Sequence, residues 1–245
     1  MKKPEWFETW FDTPYYKMLY QNRNEKEAEH FLNVLLDHLK LPPDASVLDV
    51  ACGTGRYTTF LADKGFNAVG IDLSYKNIEH ASVNERENLT FFMHDMREIF
   101  YVNYFDAVFN FYTSFGYFSS DKDNLKAIRS MSLSMKPQGK LVIDFFNASK
   151  AMSELSGHQE VSRDGILFSV RKSIEKHVFV KKIYFQDQGK EFHFEERVQA
   201  LRLEDFNRWF EMNHLKLNNV FGDYQLNPFD EKKSDRMIVI AEKKI

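Results

Sequence analysis

Asp49, Gly53, Gly55 and Asp72 are the residues whose types and spacing can do chemistry in this sequence. The run Asp49-Val50-Ala51-Cys52-Gly53-Thr54-Gly55-Arg56 follows a segment that reads as a strand and opens one that reads as a helix. Glycines at such a turn let a ligand approach main chain that side chains would otherwise cover. The first turn of the helix adds N–H groups with no partner within the helix. Asp72 closes the next expected strand, 19 residues beyond Gly53, where a carboxylate accepts hydrogen bonds from both hydroxyls of a ribose. A dinucleotide fingerprint calls for a third glycine at position 58, but Thr58 stands there, so a nucleoside without a diphosphate fits better. The competing readings are a tight turn with no ligand and, for Asp72, a helix N-cap.

The elements that must position these residues alternate. An apolar pattern at helical spacing over about 24–40 precedes Pro42-Pro43, and then strands near 46–50 and 67–71 alternate with helices near 56–64 and 75–84. Further strands are expected at 89–93, 106–111 and 140–146, with a helix over 124–135 and a turn at Lys136-Pro137-Gln138-Gly139. That order predicts five parallel strands joined by crossover helices. Residues 166–171, 177–186 and 191–201 instead alternate apolar with polar, as an antiparallel meander does. A helix over 203–213 and strands at 215–221 and 236–241 complete the chain.

Val47-Leu48-Asp49-Val50-Ala51-Cys52-Gly53-Thr54-Gly55-Arg56 closely resembles the first cofactor-binding motif of class I S-adenosylmethionine-dependent methyltransferases. Val69-Gly70-Ile71-Asp72-Leu73-Ser74 is similar to their second, His94-Asp95-Met96-Arg97 to their third, and Phe105-Asp106-Ala107-Val108-Phe109 to the motif of their fourth strand. The resemblance covers about 46–147 and departs from the common pattern at Ala51, where glycine is usual. It implies an α/β fold: a seven-stranded, mostly parallel Rossmann-like sheet with helices on both faces, plus a small antiparallel β insertion. Residues 1–149 and 203–245 would form the cofactor-binding domain, and 150–202 an inserted lid or substrate subdomain.

The resemblance also implies roles. Asp49 organises the glycine loop, Gly53 and Gly55 pass close to the methionine moiety, and Ala51, Cys52 and Arg56 are counted among the cofactor-binding residues. Asp72 with Leu73 holds the ribose, Asp95 with Met96 frames adenine, and Asn110 and Phe111 border the cofactor. Tyr15 and Tyr16 belong to an N-terminal aromatic segment that folds over the site as a lid, packing on the sheet being the alternative. Arg23 either binds the cofactor carboxylate or pairs with Glu27 at helical spacing. Asp95 is otherwise the N-cap of a short helix at Met96–Phe100.

Past the fourth strand, Tyr112, Ser114 and Tyr117 set hydroxyls among apolar residues at the carboxyl edge of the sheet. They are expected, with Tyr15 and His177, to line the acceptor site. Tyr112, Tyr117 and His177 are candidate bases, with no catalytic residue assigned. Arg171, Lys172, Lys176, His177, Lys181 and Lys182 read as the solvated face of the meander, or else as a contact for an acidic substrate or RNA.

A formal net charge of −3 makes nucleic acid an unexpected partner, and 16% aromatic residues favour a small-molecule methyl acceptor over RNA or protein. One cysteine, Cys52, allows no internal disulfide, and no apolar run approaches a membrane span, so a cytoplasmic protein is expected. The histidines show no metal-ligand spacing. Two rival classes stand beside the methyltransferase: a nicotinamide oxidoreductase and a non-catalytic nucleoside-binding module.

Overall fold

The computed structural model describes residues 5–21, 25–155 and 157–245. The N-terminal segment forms α1 (Trp6–Trp10), α2 (Pro14–Leu19) and α3 (Glu25–Leu39). Alternation then begins: β1 (Ser46–Val50), α4 (Arg56–Asp63), β2 (Asn67–Asp72), α5 (Tyr75–Ala81), β3 (Leu89–Met93), β4 (Phe105–Asn110), α6 (Asp121–Ser134) and β5 (Met135–Phe146). Local chemistry starts several of these helices. Thr13 caps α2 ahead of a proline in its first turn, and the Ser74 and Ser120 hydroxyls accept the N–H groups of Asn77 and Asp123.

After α7 (Ala148–Ser153) come β6 (His158–Arg163), β7 (Ile166–Glu175), β8 (Val178–Asp187) and β9 (Lys190–Gln199), an antiparallel sheet in sequence order. α8 (Leu203–Met212), β10 (Leu215–Phe221) and β11 (Arg236–Lys243) return the chain to the main sheet. That sheet has seven strands in the order β10-β11-β5-β4-β1-β2-β3. β1 to β5 run parallel and β11 runs antiparallel to both β5 and β10. The strand order reverses between β1 and β4, which opens a crevice beyond their carboxyl ends.

Both faces of the main sheet are covered, so its central strands are mostly apolar, with Asp49, Asn110 and Asp144 as buried polar exceptions toward their carboxyl ends. Successive side chains alternate between two cores: Leu48, Val108, Leu141 and Ile143 pack with α6 and α8, while Val47, Ala107, Phe109 and Val142 pack with α3 and α4. A third cluster joins Trp10 and Leu19 to Phe168, Ile183 and Phe185, seating the N-terminal helices on the small sheet. No helix among the described residues is long and apolar enough to cross a membrane.

Three local expectations are corrected. β6 was not anticipated: His158-Gln159-Glu160-Val161-Ser162-Arg163 is a mostly exposed edge strand with one large apolar residue, so it carries no alternation. The Lys136–Gly139 turn lies inside β5 as a bulge, four residues standing opposite Asp106, with Gln138 at φ 64°. No helix follows Asp95; its carboxylate instead accepts the Arg97 N–H at 2.9 Å and closes a turn.

Candidate active site

β1 delivers Asp49 to the base of the glycine loop, fully buried, where it accepts the Thr58 hydroxyl at 2.7 Å. Beyond it the chain turns through Ala51, Gly53 and Gly55, all with positive φ (61°, 56° and 78°). Ala51 thus adopts the left-handed backbone that glycine usually supplies at this position. The Asp72 carboxylate reaches back from the end of β2 to accept the Gly53 N–H at 2.9 Å and the Ser74 N–H at 2.9 Å. Asn77 adds a longer contact at 3.4 Å. The loop is therefore clamped by the carboxylate expected to meet the ribose.

Burial raises the pKa of Asp49 to about 7, with the nearby Asp72 charge adding to the shift and the Thr58 hydroxyl opposing it. Asp72 is raised as well, mainly by burial. A raised carboxyl keeps its proton in the fold at pH values where the unfolded chain has lost it. Its stabilising contribution is complete below about pH 4 and is lost as pH rises to about 7. Asp49→Asn, which keeps an acceptor for Thr58, is expected to gain stability over wild type by on the order of 2 kcal/mol between about pH 5 and pH 8. Urea unfolding at both pH values measures this; a pH-independent difference contradicts it.

Two adjoining cavities occupy the crevice. A cleft of about 360 Å³ is lined by the loop residues Asp49, Ala51, Cys52, Gly53 and Arg56 and by Tyr16, Asp72, Phe111, Tyr112, Ser114 and Tyr117. Its more apolar neighbour, about 300 Å³, shares Ala51, Asp72, Ser114 and Tyr117 and adds Leu73, Asp95, Met96, Phe7 and Phe118. Most of the sequence-predicted residues therefore converge on one crevice.

Others are placed elsewhere. Gly55 lies under the loop, where an added Cβ would meet the Phe91 ring at 2.5 Å, so its glycine character serves packing. Asn110 is buried, its amide donating to the Val50 carbonyl at 2.9 Å, and lines neither cavity. Tyr15 packs on Phe185 and Phe192 of the small sheet and donates to Asp187 at 2.8 Å. His177 sits at the β7–β8 turn, outside both cavities, its carbonyl accepting the Ala200 N–H. Arg23 lies outside the described residues.

Asp95 is held by a fork of hydrogen bonds from Arg97, at 2.6 Å from Nη2 to Oδ2, and Arg97 also reaches Glu5 at 2.9 Å. Burial works against the Asp95 charge, yet Arg97 holds its carboxyl below the usual range. This network fastens the start of α1 to the apolar cavity. Of the candidate bases, Tyr112 has its phenol pushed above the ordinary value by burial, which holds its proton more firmly.

Several site residues escaped the sequence reading. Lys17, Tyr20, Tyr57 and Asn77 line the cleft, and Phe11 and Asp12 reach the apolar cavity. Asn77 carried a local signal, three residues beyond the Ser74 cap. Phe11 belongs to the N-terminal aromatic run expected to act as a lid, whereas Asp12 and Lys17 carried no signal of their own, because only the tertiary fold brings α1 and α2 over the crevice.

A smaller chamber of about 170 Å³ adjoins the cleft through Phe11, Tyr16, Tyr20, Tyr112 and Tyr117. Trp6 and Glu196 complete its walls, and the Trp6 indole N–H is buried with no hydrogen-bond partner among the described residues. Beyond it, a cavity of about 390 Å³ shares Thr113, Glu196 and Val198 and runs beneath the small sheet to Phe146, Leu155 and Phe179.

The comparisons with known proteins agree with this geometry. Residues 47–139 match the family model described as a methyltransferase domain. The YqeM protein of Bacillus subtilis (strain 168), described as a candidate methyltransferase, is 36% identical over 113 residues, 45% of this chain and 46% of that protein. The dTDP-3-amino-3,4,6-trideoxy-alpha-D-glucopyranose N,N-dimethyltransferase of Streptomyces venezuelae is 27% identical over 130 residues, 53% of this chain and 54% of the enzyme. The matched segment thus spans about half the length of each curated relative. An S-adenosylmethionine-dependent methyltransferase of Clostridium acetobutylicum ATCC 824 superposes with a TM-score of 0.79 over 94% of this chain and 96% of its own, at 20% identity, a likeness of fold. Residues 47–139 thus match a methyltransferase domain by sequence, and the chain as a whole shares the Rossmann-like fold of an S-adenosylmethionine-dependent methyltransferase.

Proposed function

We propose that this chain binds S-adenosylmethionine in the paired cavities and transfers its methyl group to an O, N or C nucleophile of a small molecule. The observation that carries this reading is the clamp between Asp72 and Gly53 at the junction of a polar cleft and an apolar cavity. Each carboxylate oxygen has more than one acceptor direction, so Asp72 can hold the loop and still receive ribose hydroxyls. No protein atom lies within 4 Å of a Cβ built at Gly53, which leaves its face open. Leu73, Met96 and Phe118 offer apolar walls to a purine, beside the Asp95 carboxylate. Lys17 and Arg56, both lining the cleft, supply positive charge for a carboxylate there.

When bound, S-adenosylmethionine supplies a sulfonium methyl whose departure leaves a neutral thioether, so little acid assistance is required. The residues of the chain then act by alignment and exclusion of water: Tyr16, Tyr112 and Tyr117 border both the cleft and the chamber where an acceptor would lie. The small sheet serves as lid and substrate subdomain, since β9 gives Glu196 and Val198 to the chamber wall. The Streptomyces venezuelae relative, whose name gives a nucleotide-linked amino sugar as its substrate, supports a small acceptor.

A nicotinamide dinucleotide fits less well. Thr58, where the fingerprint wants glycine, is fully buried with its hydroxyl on Asp49, and that occupies the place of close helix–sheet packing. Calorimetric titration with S-adenosylmethionine and, separately, NAD tests the assignment. Saturable binding of the first with none of the second is expected; preference for NAD, or binding of neither, overturns it.

A further inference from the structure

The basic run on the small sheet splits between its two faces, because side chains alternate along a strand. Arg171 and Lys182 stand in register on one face and Lys172 and Lys181 on the other. On that second face a charged row interrupts apolar ones. Val170, Ile183 and Phe194 pair across β7, β8 and β9, as do Ile174, Phe179 and Val198, and between them stand Lys172, Lys181 and Glu196.

Like charges directly opposite on neighbouring strands repel, so each lysine needs a counter-charge. Glu196 supplies one to Lys181 at 3.6 Å. Lys172, half-buried, forms no ion pair among the described residues. On its other side lies Gly157, whose carbonyl accepts the Lys172 backbone N–H at 3.0 Å and which has no side chain to offer.

Lys172 lines the cavity of about 390 Å³ beneath the small sheet, with Phe146, Leu155, Phe179 and Val198. The other charges on that wall are matched, Glu196 with Lys181 and Glu154 with Lys150 at 3.9 Å. One uncompensated ammonium on a largely apolar wall selects a ligand with an apolar body and a single negative charge. The cavity shares Thr113, Glu196 and Val198 with the chamber, and the chamber shares Tyr112 with the cleft.

We propose that the methyl acceptor is an amphiphilic carboxylate, its apolar body against Phe146, Leu155 and Phe179 and its carboxylate at the Lys172 ammonium. Lys172 lines neither the chamber nor the cleft, so the carboxylate it holds is a handle and not the atom methylated. That the bound anion is the acceptor rests on the methyltransferase reading; that the cavity binds it does not.

The test titrates the full chain calorimetrically with phenylpropionate, phenylpropanol and phenylpropylamine, which share one apolar body, with and without saturating S-adenosylhomocysteine. Phenylpropionate is expected to bind at least about 10-fold tighter than the alcohol, with the amine weakest, and to bind loaded and unloaded chain alike. Lys172→Met, which keeps an apolar stem, is expected to remove the preference for the acid while the alcohol binds as before, and Lys172→Arg is expected to retain it. Ala151→Trp, which fills the cavity from α7, is expected to abolish binding of all three while S-adenosylhomocysteine still binds. Equal affinity of the wild-type chain for acid and alcohol, an acid preference that survives Lys172→Met, or displacement of S-adenosylhomocysteine by the acid overturns the proposal. Failure of S-adenosylhomocysteine alone to bind overturns the cofactor reading and leaves the acid–alcohol comparison standing on the unloaded chain.

Discussion

Replacing Asp72 with alanine is expected to weaken S-adenosylmethionine binding at least about 100-fold, because the two ribose hydrogen bonds proposed for its carboxylate, at about 1.5–3 kcal/mol each, can no longer form. A second effect adds to the first. Asp72 also holds the Gly53 and Ser74 N–H groups, each at 2.9 Å, so its removal frees the loop that the ligand must meet and uncouples the start of α5. Asp72→Asn keeps one acceptor oxygen, so an intermediate loss is expected for it. Asn77→Ala, which removes only the 3.4 Å contact, is expected to change affinity little. Calorimetry on variants shown by circular dichroism to be folded makes the measurement. A loss under about threefold for Asp72→Ala would remove the ribose role from this carboxylate.

The contrast between Asp72 and Glu196 shows what the sequence could and could not disclose. Asp72, Gly53 and Ser74 lie within the consecutive β1–α4–β2–α5 segment, so their relation follows from spacing, and a parallel strand pair places them without help from distant chain. Alternation made the main sheet legible for the same reason: strands covered on both faces are apolar runs of strand length, with crossover helices between. Glu196 meets Tyr20 across 176 residues and Trp10 across 186. Nothing local to β9 distinguishes that glutamate from Glu195, which pairs with Arg197 on the same strand. β6 escaped because an exposed edge strand needs no apolar face. Tyr15 and Tyr16 were read together as a lid. They separate because neighbours on a short helix point differently, Tyr16 to the cleft and Tyr15 to the small sheet.

Asp144 carried a local signal whose meaning was not local. A carboxylate within Leu141-Val142-Ile143-Asp144-Phe145-Phe146 must find a partner, since an unpaired buried charge is costly. The partner is Arg236 on the neighbouring antiparallel strand, with Nη2 at 2.7 Å and Nε at 2.8 Å from Oδ1. The other oxygen accepts the Tyr112 N–H at 3.0 Å and the Tyr224 hydroxyl at 3.2 Å. Arg236 in turn donates to the Thr113 hydroxyl at 3.1 Å. The pair therefore anchors the segment after β4, where Tyr112 and Thr113 both hold positive φ, at 55° and 62°. Non-glycine residues in that region cost on the order of 1 kcal/mol or more each, so the surrounding contacts must hold them there.

Asp144→Ala is accordingly expected to destabilise the fold by about 3–5 kcal/mol, the range for leaving one partner of a buried pair uncompensated. Replacing both partners together separates charge from packing. A double variant, Asp144→Leu with Arg236→Met, removes the stranded charge and is expected to recover most of that stability in urea unfolding. It does not restore the acceptor for the Tyr112 N–H, so the loop that borders both cleft and chamber loses its anchor while the core survives. Such a protein is expected to keep its melting cooperativity and bind S-adenosylmethionine more weakly than wild type. Full recovery of binding in the double variant would mean that Tyr112 and Thr113 hold their conformation without Asp144. Full loss of stability in it would mean that the ion pair itself, rather than the avoidance of an orphaned charge, holds this edge of the sheet.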